Sequence, residues 1–109
     1  MKATEGVDFK DANFAANWNR AINAGLRIGA YHFFTTKTDG KLQANNFIQS
    51  VPKTTKMLPP AIDVEIETVA NAEDRQIIEN RLQDLLQLVE EYDGIRPIIY
   101  TDDDDLNSR

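Results

Sequence analysis

The chain has 109 residues, 41% of them hydrophobic and 28% charged, with a mean hydropathy of −0.48 and no cysteine. That apolar share suits one compact domain, exceeds what a disordered chain carries, and contains no run near the roughly 20 apolar residues of a membrane span. Twelve basic against 18 acidic residues give a net charge of −6, which offers no basic field for nucleic acid, and the missing cysteines exclude a disulfide framework and a thiolate metal site.

The opening residues, Met1-Lys2-Ala3-Thr4-Glu5-Gly6, lack the apolar stretch of a secretory signal and read as a strand ending at Glu5. Residues 11–24 carry Phe14, Trp18, Ala21 and Ile22 at helical spacing, with Asp11 placed to cap the helix and Gly25 to stop it. Trp18 is expected in the core. Residues 26–34 read as a buried strand, apolar on both parities apart from Arg27 and His32, as where helices cover both faces of a sheet. A polar loop over residues 35–40 leads to a short helix over 41–51 with Leu42, Phe47 and Val51 on one face, which Pro52 ends. A loop closed by Pro59-Pro60 precedes a strand over residues 61–67.

The strongest helical pattern spans residues 71–93, where Ile78, Leu82, Leu85, Val89 and Tyr92 step by four and three, Glu73 and Asp74 occupy the first turn, and Gly94 supplies the stop. Residues 96–101 read as a last strand with Pro97 near its start, where a missing donor is tolerated. The acidic residues 102–105 lack the glycine and terminal glutamate of a calcium loop and read as a solvated tail, so residues 1–101 form the domain and 102–109 a C-terminal tail.

Alternating strands and helices imply an α/β protein with parallel strands. The strand ends Glu5, Phe34, Glu65 and Thr101 recur at roughly 30 residues, the pace of a (β/α) TIM-like barrel in which about 250 residues make eight units. A small open α/β sheet has the same periodicity. No Gly-rich phosphate loop appears, so no nucleotide cofactor is implied.

The residues richest in chemistry are Asp63-Val64-Glu65, because positions i and i+2 of a strand point to one side. Ala61, Asp63 and Glu65 would face one space while Ile62, Val64 and Ile66 pack under helices. In a confined space, repulsion and desolvation would raise one carboxyl's pKa and make a proton donor beside a charged partner, the layout of a glycosidase. Two other readings stand beside it: a half-exposed strand whose polar face meets water, and a divalent metal held by the same carboxylates, although no histidine or Asp/Asn ladder completes a shell.

Five ordered motifs resemble the lysozyme-type muramidases of glycoside hydrolase family 25. They are Lys2-Ala3-Thr4-Glu5-Gly6 with Asp11, Phe14 and Asn17; Ala24-Gly25-Leu26 leading to Gly29-Ala30-Tyr31-His32-Phe33; Gln43-Ala44 with Asn46-Phe47; Pro59-Pro60-Ala61-Ile62-Asp63-Val64-Glu65; and Arg96-Pro97-Ile98-Ile99-Tyr100-Thr101. The resemblance implies an irregular eight-stranded barrel that hydrolyses the β-1,4 bond between N-acetylmuramic acid and N-acetylglucosamine in peptidoglycan, outside the cell or at the cell wall, with no cofactor and no metal. It implies that Glu65 is the general acid and that Asp63 orients and charge-stabilises the substrate's acetamido group in a substrate-assisted route. Tyr31 matches the tyrosine lining the family's sugar site, Tyr100 at the next strand end is expected to do likewise, and Glu5 is expected at the rim. His32, of opposite parity to Tyr31, is expected to be a structural residue behind the barrel.

Measured against the family, the chain corresponds to the second to fifth strands, without the first strand or the last three, whose carboxylates also line the family's site. A partial barrel of this kind leaves strand edges unpaired, which favours homo-oligomers. Besides a truncated muramidase, two further functions remain open at this level: a non-catalytic half-barrel that oligomerises or binds wall sugars, and an unrelated small α/β regulatory domain.

Overall fold

A computed structural model describes residues 1–53, 57–65 and 71–101. They form a five-stranded sheet with three helices, in the order β1 (Lys2–Glu5), β2 (Phe9–Lys10), α1 (Phe14–Asn23), β3 (Tyr31–Phe34), α2 (Gly40–Ser50), β4 (Ala61–Val64), α3 (Ala72–Asp93) and β5 (Ile98–Thr101). Across the sheet the strands run β2-β1-β3-β4-β5. The four strands β1, β3, β4 and β5 pair in parallel, as the alternation with helices requires, and β2 folds back antiparallel on β1. This open sheet has the α/β character expected of part of a TIM-like barrel.

β2 has no counterpart in the periodicity, because a two-residue strand is too short to alternate. It exists because Gly6, at φ +60°, turns the chain, and because Asn46 of α2 clamps the turn. The Asn46 amide donates to the carbonyls of Gly6 and Phe9 at 3.1 Å each, and Lys10 Nζ donates to Asn46 Oδ1.

α1 begins three residues later than expected. Asp11 does not cap it; its Oδ1 takes the Asn13 N–H at 2.9 Å, closing a turn that delivers the chain to Phe14. Gly25 stops the helix as expected: at φ +75° it lets Gly25 N–H reach Ile22 O (2.9 Å) and Leu26 N–H reach Ala21 O (3.1 Å), a Schellman-type end. Phe14 and Trp18 are buried with their ring centroids 5.2 Å apart, while Ile22 turns outward.

The strand expected over residues 26–34 is only β3. Leu26 is exposed, Ile28 makes an isolated bridge to Met57, and regular pairing starts where Tyr31 N–H meets Met1 O at 2.9 Å. Its burial alternates, His32 and Phe34 buried and Tyr31 and Phe33 half-buried, so helices cover one face and leave the other open.

α2 starts at Gly40, where Asp39 Oδ1 accepts the N–H groups of Lys41 and Leu42. Phe47 and Val51 are buried, but Leu42 is exposed. The rest of the buried face is polar: Gln43 and Asn46 share it with Ala44 and Phe47. α3 follows its pattern, with Asn71 accepting the Asp74 N–H at 2.8 Å, Gly94 in the left-handed region, and Leu85 and Val89 fully buried. Tyr92 ends the stripe exposed, its ring under Lys53 Nζ at 4.0 Å.

β4 stops at Val64, so the strand expected to residue 67 is shorter; Ile66 and Glu67 lie outside the described residues, as does the acidic run at 102–105. Ile62 and Val64 pack into one core with Ala3, Phe14, Trp18, Phe34, Phe47, Leu85 and Val89.

Candidate functional site

Register decides which side chains share a surface. Glu5 pairs with Phe33, Phe33 with Asp63, and Asp63 with Tyr100. Residues in register on neighbouring parallel strands point to the same side, so these four form one row across four strands, about 14 Å long at ~4.8 Å per strand. The row lies toward the C-terminal ends of the strands, the end at which barrel enzymes carry their chemistry. Tyr31 stands one pleat earlier on the same face, in register with Ala61 and Ile98. The structure therefore brings together Glu5, Tyr31, Asp63 and Tyr100, which come from four separate strands.

Glu65 is placed differently. It is the first residue after β4 and is exposed, whereas Asp63 is half-buried within the strand. The pair thus straddles the strand end, one carboxyl on the sheet face and one at the rim. Confinement of both carboxyls on a closed inner face, one of the conditions posed by the sequence, is not what these residues show.

Two residues at this surface carry no motif that singles them out. Phe33 fills the gap between Glu5 and Asp63, and Lys2 donates to Glu5 Oε1 at 2.7 Å. The Lys2 ammonium also sits 5.3 Å from the centre of the Phe9 ring and 5.6 Å from that of Phe33. Its hydrogen bond to the Glu5 carboxylate holds the lysine above its ordinary pKa. The result is a row of two carboxyls and two rings, with the Lys2 ammonium against Glu5 and between the Phe9 and Phe33 rings. Both lie within the quoted family motifs, but nothing local sets Phe33 apart from its apolar neighbours or signals the Lys2–Glu5 pair.

Behind the sheet, His32 organises the support. The Gln43 amide donates to Thr35 O (2.8 Å) and Thr38 O (3.2 Å), and its oxygen accepts the Thr35 N–H (3.0 Å), which sets the amide orientation. Gln43 Oε1 can therefore only accept from His32, 2.9 Å away, so Nε2 carries the proton and Nδ1 accepts the Thr4 hydroxyl at 2.7 Å. One neutral imidazole ties β1 and β3 to α2 and, through Gln43, to the loop after β3. This agrees with the structural role expected of His32.

Burial lowers the His32 pKa from its ordinary 6.5, partly opposed by the Gln43 hydrogen bond. Because the folded pKa lies below the unfolded one, stability from this group is complete above about pH 6.5 and is lost as pH falls through the folded pKa. His32 is the chain's only histidine, so its ring-proton resonance is unambiguous. A titration midpoint below 6.5, with denaturant stability declining over the same pH interval, is the expected result. A midpoint at or above 6.5 would contradict the buried neutral ring.

Among the described residues no three or more His, Asp or Glu side chains cluster as a metal site would need, and no helix is long and apolar enough to cross a membrane.

The sequence matches the family model described as glycosyl hydrolases family 25 over residues 1–109. It is 35% identical over 101 residues to the uncharacterized protein YegX of Escherichia coli K12, a match covering 93% of this chain and 36% of that protein. It is 39% identical over 69 residues to lysozyme M1 of Streptomyces globisporus, covering 60% of this chain and 24% of that one. Among solved structures, a family 25 glycosyl hydrolase from Bacillus anthracis superposes with a TM-score of 0.81 at 40% identity, covering 92% of this chain and 47% of that one. A family GH25 lysozyme from Aspergillus fumigatus gives 0.76 at 28% identity, covering 92% and 51%. The chain thus spans about a third of the YegX sequence and about half of the solved structures it matches.

Proposed function

The chain belongs to glycosyl hydrolases family 25, and from that membership we propose that it serves a muramidase, hydrolysing the β-1,4 bond between N-acetylmuramic acid and N-acetylglucosamine in peptidoglycan. The observation that carries this reading is the row Glu5–Phe33–Asp63–Tyr100 with Glu65 at its rim. In this reading Glu65, exposed at the end of β4, delivers a proton to the glycosidic oxygen as the bond breaks. Asp63, on the face beneath, accepts the acetamido N–H and stabilises the positive charge that develops as the acetamido oxygen assists departure. Tyr31 and Tyr100 hold sugar rings, and Glu5, held by Lys2 Nζ at 2.7 Å, accepts hydrogen bonds from sugar hydroxyls at the rim. Residues 1–101 form the sugar-working part and 102–109 a tail; the substrate would be met outside the cell or in the wall.

The test is incubation of the full chain with purified peptidoglycan. New reducing ends that are N-acetylmuramic acid are the expected result. No release, or reducing ends that are N-acetylglucosamine, would overturn the reading.

A further inference from the structure

β1 carries one residue more than β3 along the stretch where the two strands pair. Lys2 is in register with Tyr31 and Thr4 with His32, so two steps on β1 match one step on β3, and the extra residue forms a bulge at Ala3. In a regular strand Lys2 and Glu5, three residues apart, would point to opposite sides. The bulge turns Ala3 and Thr4 together to the buried side, 1% and 0% exposed, and returns both Lys2 and Glu5 to the face that carries Tyr31 and Phe33. Bulges are rare in parallel pairs and gather beside active sites, where they re-aim a side chain. Here the side chain re-aimed is that of Lys2.

Three side chains hold the ammonium on that face. Lys2 Nζ donates to Glu5 Oε1 at 2.7 Å. Phe9 and Phe33 are the residues in register with Glu5 on its two sides, so their rings flank the ion pair, with centroids 5.3 and 5.6 Å from Nζ. Both lie within the ~6 Å over which a ring face attracts a cation. The Phe9 side depends on the Gly6 turn and the Asn46 clamp that keep β2 against β1. An ion pair of two free side chains spends most of its attraction on ordering them. In this one the rings already restrict the lysine, so the side chain that gains order is that of Glu5.

We propose that Lys2 is a positioning residue for glycan binding: by occupying Oε1 it fixes the Glu5 carboxylate in the row, with Oε2 left to accept a hydrogen bond from a sugar hydroxyl. The identity of the ligand rests on the muramidase reading; the role of Lys2 rests on the bulge and its contacts. Binding pays for every rotamer-rich side chain it must immobilise, and a glutamate that is already held lowers that cost. Glu5 stands two strands from Asp63, about 10 Å at ~4.8 Å per strand, so Lys2 acts on binding and not on the bond-breaking step.

Turnover of soluble peptidoglycan glycan chains by the full chain, together with Glu5 side-chain order from NMR relaxation, tests the proposal. Lys2→Met keeps the length of the side chain and its apolar contact with the rings but carries no charge. It is expected to raise KM about 2- to 10-fold at unchanged kcat, and to loosen the Glu5 side chain to the order of the exposed Glu79 on α3. Lys2→Arg, which keeps a cation against the carboxylate and the rings, should return both readouts to near the parent values. In a Glu5→Gln background, adding Lys2→Met should change KM by less than twofold, because Lys2 acts through Glu5. Should Lys2→Met not fold, Lys2→Gln takes its place with the same expected KM and kcat. With a parent that turns over, a neutral variant with the parent's KM and Glu5 order, a loss in kcat alone, an equal loss with arginine, or additive losses in the double variant would overturn the proposal and leave the muramidase reading standing. A parent without turnover would overturn that reading itself, and the sugar ligand of Glu5 with it.

Discussion

Glu65→Gln is expected to reduce the release of reducing ends from peptidoglycan by about 10²- to 10⁴-fold, the usual contribution of a general acid, while leaving the fold intact. Glutamine keeps the size and hydrogen-bonding reach of the side chain but has no proton to give. Since Glu65 is exposed and lies just beyond β4, its replacement removes no core packing. An effect on activity with unchanged thermal unfolding would therefore be chemical. On the muramidase reading proposed above, Asp63→Asn is expected to lower release as well, because an amide offers no charge to the acetamido group. Equal release by the parent and Glu65→Gln would take the acid's role away from Glu65.

Gly40→Ala is expected to destabilise the protein by about 3 kcal/mol or more, the upper end for overpacking. In a helix, Gly→Ala ordinarily gains up to about 1 kcal/mol, so the sign itself is diagnostic. A Cβ on Gly40 would lie 1.8 Å from the carbonyl oxygen of Arg81 and 2.7 Å from its carbonyl carbon. Both are backbone atoms within α3, so no side-chain rotation relieves the clash, and α2 must move away from α3. That movement also strains the neighbouring contact in which Arg81 Nη1 donates to Thr36 O at 2.7 Å. Thermal unfolding should fall by about 10–20 °C for a chain of this size. An unchanged or raised midpoint would show that the two helices are not held this closely.

The helices were largely legible because each carries its own instructions. α3 joins a period-3.6 apolar stripe to an Asn71 cap and a Gly94 stop, all within one segment. α1 was legible at its end, where Gly25 acts locally, and misread at its start, because whether Asp11 caps or turns depends on where Phe14 and Trp18 find their core. The exposed Leu42 and the buried Gln43 and Asn46 have one cause. α2 faces the loops around β1 and β3, whose backbone groups need polar partners, so its inner face is half polar and an apolar pattern alone picks the wrong residue.

The candidate site divides in the same way. Asp63 and Glu65 stand out as two carboxyls at spacing i and i+2, and their family motif lies within one stretch of chain. Phe33 and Lys2 do not stand out, because their importance lies in register with other strands and in a contact with Glu5.

By itself the sequence determined the alternation of strands and helices, the caps and stops of α3, and the carboxylate pair, since each depends on residues a few positions apart. The tertiary structure alone decided that Glu5, Phe33, Asp63 and Tyr100 form one row and that Glu65 stands outside it. Those outcomes depend on pairing between segments roughly 30 residues apart, where register, and not local preference, determines which side chains meet.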